Sequence, residues 1–272
     1  MSKLISFLLL FPTIFFSQNK LVVEYAEIWG SNIHSCTMIE NNNKTYFFQI
    51  GNEKNTPSAE QILSENYTIK DIGYLISREN NLFYLTGLIP KLRNTIAEDN
   101  APPIQWKITN ETSEILGFPC KKAIGNFRGR EVYAYFTPQI STNSGPWKYY
   151  GLPGLILKAG DSDDKIVFVA TRVLLNSKLD VSDKLHNHID EMMLKKITIK
   201  EFVDIENDFI IKMKNRIRAS SPPGTFWLSD YLRSEERELQ FEWEKEPLKI
   251  QSDQLINAEQ KQIINAINNK NK

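Results

Sequence analysis

Cys120 to Thr137, CKKAIGNFRGREVYAYFT, reads as two extended arms joined at Arg128-Gly129, with a glycine available where a short loop needs positive φ. In the second arm Val132, Ala134 and Phe136 fall on one face and Tyr133, Tyr135 and Thr137 on the other. That period of two belongs to a strand. Upstream the signal recurs in short β-rich runs broken by Asn, Gly and Asp: Leu21 to Trp29, Ile33 to Ile39, Thr45 to Ile50, Thr68 to Ser77 and Leu82 to Leu88. Gln105 to Ile108 follows the extended Ala101-Pro102-Pro103, with a turn expected at Asn110 to Thr112. Ser58 to Leu63 reads as a short helix, with Ser58 and Gln61 at capping-box spacing.

Downstream, Gly145-Pro146-Trp147-Lys148-Tyr149-Tyr150 leads into Gly151-Leu152-Pro153-Gly154-Leu155-Ile156. Proline second and glycine third in Leu152 to Leu155 predict a type II turn, in which glycine supplies the positive φ. Leu155 to Ala159 then reads as strand and Gly160 to Asp164 as an acidic turn. Lys165 to Leu175 returns, and its apolar run Ile166 to Ala170 predicts burial on both faces. Thr198 and Glu201 have capping-box spacing, and Phe202, Ile205, Phe209 and Met213 recur at helical intervals up to Ala219. Ser252 to Asn268 gives a second amphipathic pattern. Hairpins first and helices later predict an α+β fold: a curved antiparallel β-sheet or half-barrel over residues 19–175, then a mainly helical part, 176–272, packing on or flanking the sheet.

The chain has 272 residues, 41% of them hydrophobic, and its 33 basic side chains balance 33 acidic ones. It is long enough for a real core, and with no net charge it carries no field that would gather nucleic acid. Lys3 ahead of the apolar run Leu4 to Phe16, followed by Ser17 and Gln18, reads as a secretory signal peptide over residues 1–18, removed near Ser17 to Asn19. Such a run spans about 20 Å as a helix against a hydrocarbon core of about 30 Å, so no transmembrane anchor is expected in the mature chain. Export lets Cys36 and Cys120 be read either as a disulfide closing a loop of roughly 85 residues, worth about 4–5 kcal/mol in the chain-entropy picture, or as two buried thiols.

Leu155 and Ile156 follow Gly154 where a phosphate loop needs lysine and a hydroxyl, and no Gly-x-Ser-x-Gly elbow occurs. His186-x-His188 reads either as two metal ligands or as a solvated surface pair. Asp161, Asp163 and Asp164 lack the rest of a calcium loop and read as an ordinary hairpin turn. No catalytic residue, cofactor or metal site is nominated. Lys121, Lys122, Arg128 and Arg130 read as a solvated hairpin face. Trp147, Tyr149, Tyr150, Tyr133 and Tyr135 form the candidate ligand or partner surface, the alternative being a loop packed on a sheet.

Gly151 to Ile156 spells the signature of the GLPGLI family. Gly117-Phe118-Pro119-Cys120-Lys121-Lys122-Ala123, Phe127-Arg128-Gly129-Arg130, Tyr135-Phe136-Thr137-Pro138-Gln139-Ile140 and Gly145-Pro146-Trp147 resemble it in the same order. The resemblance implies an exported protein of the Gram-negative envelope, in a family often associated with outer-membrane TonB-dependent transport, and it supplies no catalytic residues. The expected function is non-catalytic binding of an amphiphilic ligand or an outer-membrane protein. An envelope hydrolase acting on peptides or glycans, and a purely structural adaptor, are the alternatives.

Overall fold

The computed structural model describes residues 20–30, 32–41, 44–50, 58–64, 72–220, 238–246 and 264–267. The expected signal peptide, the start of the run expected at Thr68 and most of the pattern from Ser252 to Asn268 lie outside these residues. The described chain is mostly β, with one open sheet of 12 strands and few helices, the longer ones late in the chain.

In chain order the elements are β1 (Lys20–Trp29), β2 (Asn32–Asn41), β3 (Lys44–Ile50), α1 (Ala59–Ile62), β4 (Ile72–Glu79), β5 (Leu82–Leu85) and β6 (Ala97–Asp99). Then come β7 (Lys107–Ile115), β8 (Phe118–Phe127), β9 (Arg130–Thr137), β10 (Leu155–Asp161), β11 (Ile166–Ser177), α2 (Asp183–Met193), β12 (Ile197–Thr198) and α3 (Ile199–Ser220). Across the sheet they run β12-β6-β5-β4-β3-β2-β1-β11-β10-β9-β8-β7. All neighbours pair antiparallel except β12 with β6, so the sheet is mixed where a purely antiparallel one was expected. β12 arrives after α2 and enters the edge from the same direction as β6.

The hairpin from β8 to β9 turns on Arg128 and Gly129 at φ 42° and 81°, both in the left-handed region that a primed two-residue loop requires. Asn80 and Asn81, at 51° and 65°, do the same between β4 and β5. The turn expected at Asn110 to Thr112 is instead a bulge inside β7, between the register pairs of Ile108 and Thr112, and the chain reverses at Leu116-Gly117. β1 pairs with β11 in the middle of the sheet, and Ile166 to Ala170 are buried throughout, as the uninterrupted apolar run requires.

The two faces carry separate cores. Leu21, Val23 and Tyr25 of β1 pack with Phe47, Phe83 and Phe168 against the long connection after β9, while Val22 joins Ile39, Phe48 and Leu75 with Leu185 and Ile189 of α2. α3 starts with a realised capping box: Glu201 accepts from the Thr198 N–H at 2.9 Å, and its own N–H donates to Thr198 Oγ1 at 3.2 Å. Only the first part of its expected stripe meets the sheet. Phe202 is buried, whereas Phe209 and Met213 are 38% and 39% exposed.

Both cysteines are free and buried, which corrects the disulfide reading. β1, β11, β10 and β9 lie between the strands that carry them. Cys36 donates to the Glu27 carboxylate at 3.6 Å and Cys120 to the Phe118 carbonyl at 3.3 Å, and burial pushes the Cys120 thiol up to about 12.

Candidate functional site

The connection from β9 to β10 folds back on itself before entering the sheet. The Gly151 N–H donates to Asn143 at 2.8 Å and the Ile156 N–H to Ser144 at 3.1 Å. Tyr25 Oη holds the Ile156 carbonyl at 2.7 Å, and Trp106 Nε1 holds that of Tyr150 at 2.8 Å. The type II turn is corrected: the Gly154 N–H returns to the Leu152 carbonyl at 2.9 Å, and the Leu155 N–H goes to Ile140 at 3.3 Å. Gly154 has φ 152°, and a Cβ there would lie 2.1 Å from the Thr137 oxygen. Close approach of two backbones, more than turn type, demands the glycine.

Trp147 adopts φ 54°, a left-handed conformation that costs a non-glycine residue about 1–2 kcal/mol. Over-determination by neighbours sustains such strain, which gathers at functional sites. Trp147 lies edge-to-face with Phe127 at 5.6 Å and with Tyr149 at 5.1 Å, and Tyr149 continues to Phe168 at 6.1 Å. Next to it, Lys148 enters the interior.

Lys148 meets Asp99, Arg128 and Glu238, whose side chains are 0%, 1% and 9% exposed against 1% for its own. Its ammonium donates to Asp99 Oδ2 at 2.7 Å and to both Glu238 oxygens at 2.8 and 2.9 Å. Arg128 grips Asp99 through Nη1 and Nη2 at 2.8 and 2.7 Å, also bonds Glu238, and reaches Glu242 through Nε at 3.0 Å. Burial disfavours the Asp99 anion, but Lys148 and Arg128 outweigh it and leave the carboxyl below its ordinary value. Burial likewise opposes the Lys148 charge, and Asp99 and Glu238 overcome it, raising the ammonium above its usual value. The Arg128 carbonyl accepts from the Leu239 and Gln240 N–H groups at 2.8 and 2.9 Å, and its guanidinium covers the Phe241 ring at 4.5 Å. Residues 238–241 thus strap the β8–β9 turn.

Beside this cluster lies a cavity of about 40 Å³. Ile76 and Leu85 of the sheet, Phe202 and Val203 of α3, and Trp147 give it apolar walls; Lys148, Glu206 and Glu238 give it charge.

The structure separates the five aromatics of the expected surface. Trp147, Tyr149 and Tyr150 are buried in the core, with Trp147 on the cavity. Tyr133 and Tyr135 are half-buried on the opposite side of β9, 6.0 Å apart, with Lys122 and Lys158 near their rings. The basic hairpin face is corrected in part: Arg128 is buried in the cluster and Arg130 pairs with buried Asp161 at 2.7 Å, whereas Lys121 is exposed and Lys122 pairs at the surface with Glu111 at 2.9 Å. Asp164 accepts from Tyr133 Oη at 2.5 Å, so the acidic turn between β10 and β11 is fastened to the neighbouring strand β9. His186 and His188 lie on α2, where a spacing of two residues sends them in different directions. They approach Asp190 and Glu191 respectively, and among the described residues no group of three metal-binding side chains forms. Asp99, Lys148 and Glu238 were not singled out from the sequence.

Residues 126–158 match the family described as "Protein of unknown function (Porph_ging)". A comparison with curated proteins finds no match. Among solved structures the chain is similar to PNGF-II in its C2 crystal form, at 22% identity and TM-score 0.42, covering 60% of this chain and 28% of that one. It is also similar to MucB in the Pseudomonas aeruginosa MucA/MucB complex, at 11% identity and TM-score 0.34, covering 62% of this chain and 56% of that one. The chain therefore spans less than two thirds of either protein.

Proposed function

We propose that the protein is a non-catalytic, exported envelope protein that binds an amphiphilic ligand in the cavity between the sheet, α3 and the 238–241 strap. One observation carries this reading: apolar walls and charged side chains line one small, partly open cavity, the arrangement that orients a group with one apolar and one polar end. The strained Trp147 and the buried ion cluster hold its charged part in fixed geometry. The apolar run at the N-terminus and the GLPGLI-like blocks support the envelope setting and a link to outer-membrane TonB-dependent transport. Among the described residues no helix is long and apolar enough to cross a membrane.

The test is native mass spectrometry of the full chain purified from its own envelope fraction, beside a Val203→Phe variant that fills the cavity. The expected result is a co-purifying amphiphile in the wild type that is lost from a variant of similar melting temperature. An amphiphile retained equally by a folded variant would remove the cavity from the reading.

A further inference from the structure

On the face of the sheet that carries the second core, an open groove of about 590 Å³ is bounded by the β2–β3 and β4–β5 turns and the start of α2. Tyr46 lines it and is only 4% exposed, its ring parallel to that of Phe48 at 6.1 Å. Burial raises the phenol above its ordinary value, so at neutral pH it keeps its proton. Its Oη is buried without a hydrogen-bond partner among the described residues, and so is Asn41 Oδ1, which also lines the groove. Buried polar atoms left unpaired are costly, and each calls for a physical explanation. Lys44 lies over the Tyr46 ring, 5.0 Å from its centre, and a lysine can only donate to the phenol oxygen. The phenol hydrogen therefore still lacks an acceptor. The remaining polar groups are uncommitted too. Lys44 and Glu79 approach no closer than 3.8 Å, beyond hydrogen-bond distance, and exposed Asp183 has no side-chain partner among the described residues.

We propose that this groove binds a neutral saccharide of one or two rings. A sugar hydroxyl both donates and accepts, so one kind of group meets the Tyr46 phenol, the Asn41 amide oxygen, the Lys44 ammonium and the Glu79 and Asp183 carboxylates. Charge selects against ionic ligands. An anion would face Glu79 and Asp183, a cation would face Lys44, and Asp180 is already paired with Lys20. His186, edge-on to Tyr46 at 6.2 Å, adds an imidazole to the same space. The volume lies within the range of roughly 300–1,000 Å³ usual for small-molecule sites. A ligand hydroxyl that moves Lys44 off the ring gives the phenol its acceptor.

The groove is separate from the cavity beside Lys148, and its test is independent of that reading. Maltose, cellobiose and N,N′-diacetylchitobiose are titrated into the full chain by saturation-transfer NMR at neutral pH, with glucuronate and spermidine as charged controls. At least one of the three is expected to bind with a Kd of about 1 mM or tighter, and more tightly than either control. Tyr46→Phe removes only the hydroxyl and is expected to weaken binding about threefold to tenfold without lowering the melting temperature, since that hydroxyl has no partner in the free protein. Asp183→Asn, at an exposed side chain, is expected to weaken it about threefold at unchanged melting temperature. Binding by none of the three saccharides overturns the proposal, and so does tighter binding of either control. Wild-type affinity in both folded variants overturns the assignment to this groove.

Discussion

Replacing Lys148 by methionine keeps most of the length of the side chain and removes one charge from a buried cluster. The folded protein sets Lys148 and Arg128 against Asp99 and Glu238, two buried charges of each sign, with exposed Glu242 also on Arg128. At an effective dielectric of about 20, each contact of 2.7–2.9 Å corresponds to about 6 kcal/mol of attraction, most of which desolvation consumes. The net worth of the pairing is therefore modest, but breaking it is expensive. Lys148→Met leaves Asp99 and Glu238 facing Arg128 alone, and an uncompensated buried charge costs about 3–5 kcal/mol. With about 2–4 °C of melting temperature per kcal/mol for a domain of this size, the loss is about 10 °C. Scanning calorimetry measures it. Adding Glu238→Gln restores the charge balance, and the double variant is expected to recover about 2 kcal/mol relative to the sum of the single changes. A Lys148→Met protein melting within about 2 °C of wild type, or strictly additive losses in the double variant, would refute the buried pairing.

Gly154→Ala drives a methyl group into the Thr137 carbonyl, 2.1 Å from its oxygen, so the urea midpoint should fall by the equivalent of about 3 kcal/mol; an unchanged midpoint would show that β9 and β10 do not approach as described. Acid should expose the cluster through Asp99. Because its folded value lies below the unfolded value of about 3.9, its stabilisation is complete above that pH and is lost as pH falls through the folded value. Urea midpoints of wild type and Asp99→Asn should therefore converge below about pH 4, and parallel profiles there would contradict the depressed carboxyl.

The hairpins were legible because their determinants are local. Alternation from Arg130 to Thr137 sets the faces of β9, and Arg128-Gly129 marks a loop that needs positive φ at both positions. The capping box at Thr198 and the double-sided burial of β11 follow from equally short patterns. The ion cluster was not legible. Asp99 lies 29 residues from Arg128 and 49 from Lys148, and Glu238 lies 90 from Lys148. A window around Arg128 shows only a charged residue in a turn, and such residues are usually solvated. Trp147 misled for a related reason: an aromatic beside proline and glycine suits a loop tip or a core, and only the neighbours brought in by β8 and β11 decide between them.

The cluster also explains why a turn-rich connection and a late segment of the chain belong to one structural unit. The hairpin and its connection bring two cations inward, Arg128 and Lys148, and neither arrives with a carboxylate from that stretch. Burying both without partners would cost more than their loop could recover from packing. Asp99 supplies one countercharge from the sheet edge, and Glu238 supplies the other from the strap, which adds backbone bonds to the Arg128 carbonyl. The strap also forms part of the cavity wall through Glu238 and Phe241. Through Glu238 the same strap therefore lines the cavity and supplies one of the two acceptor side chains of the Lys148 ammonium.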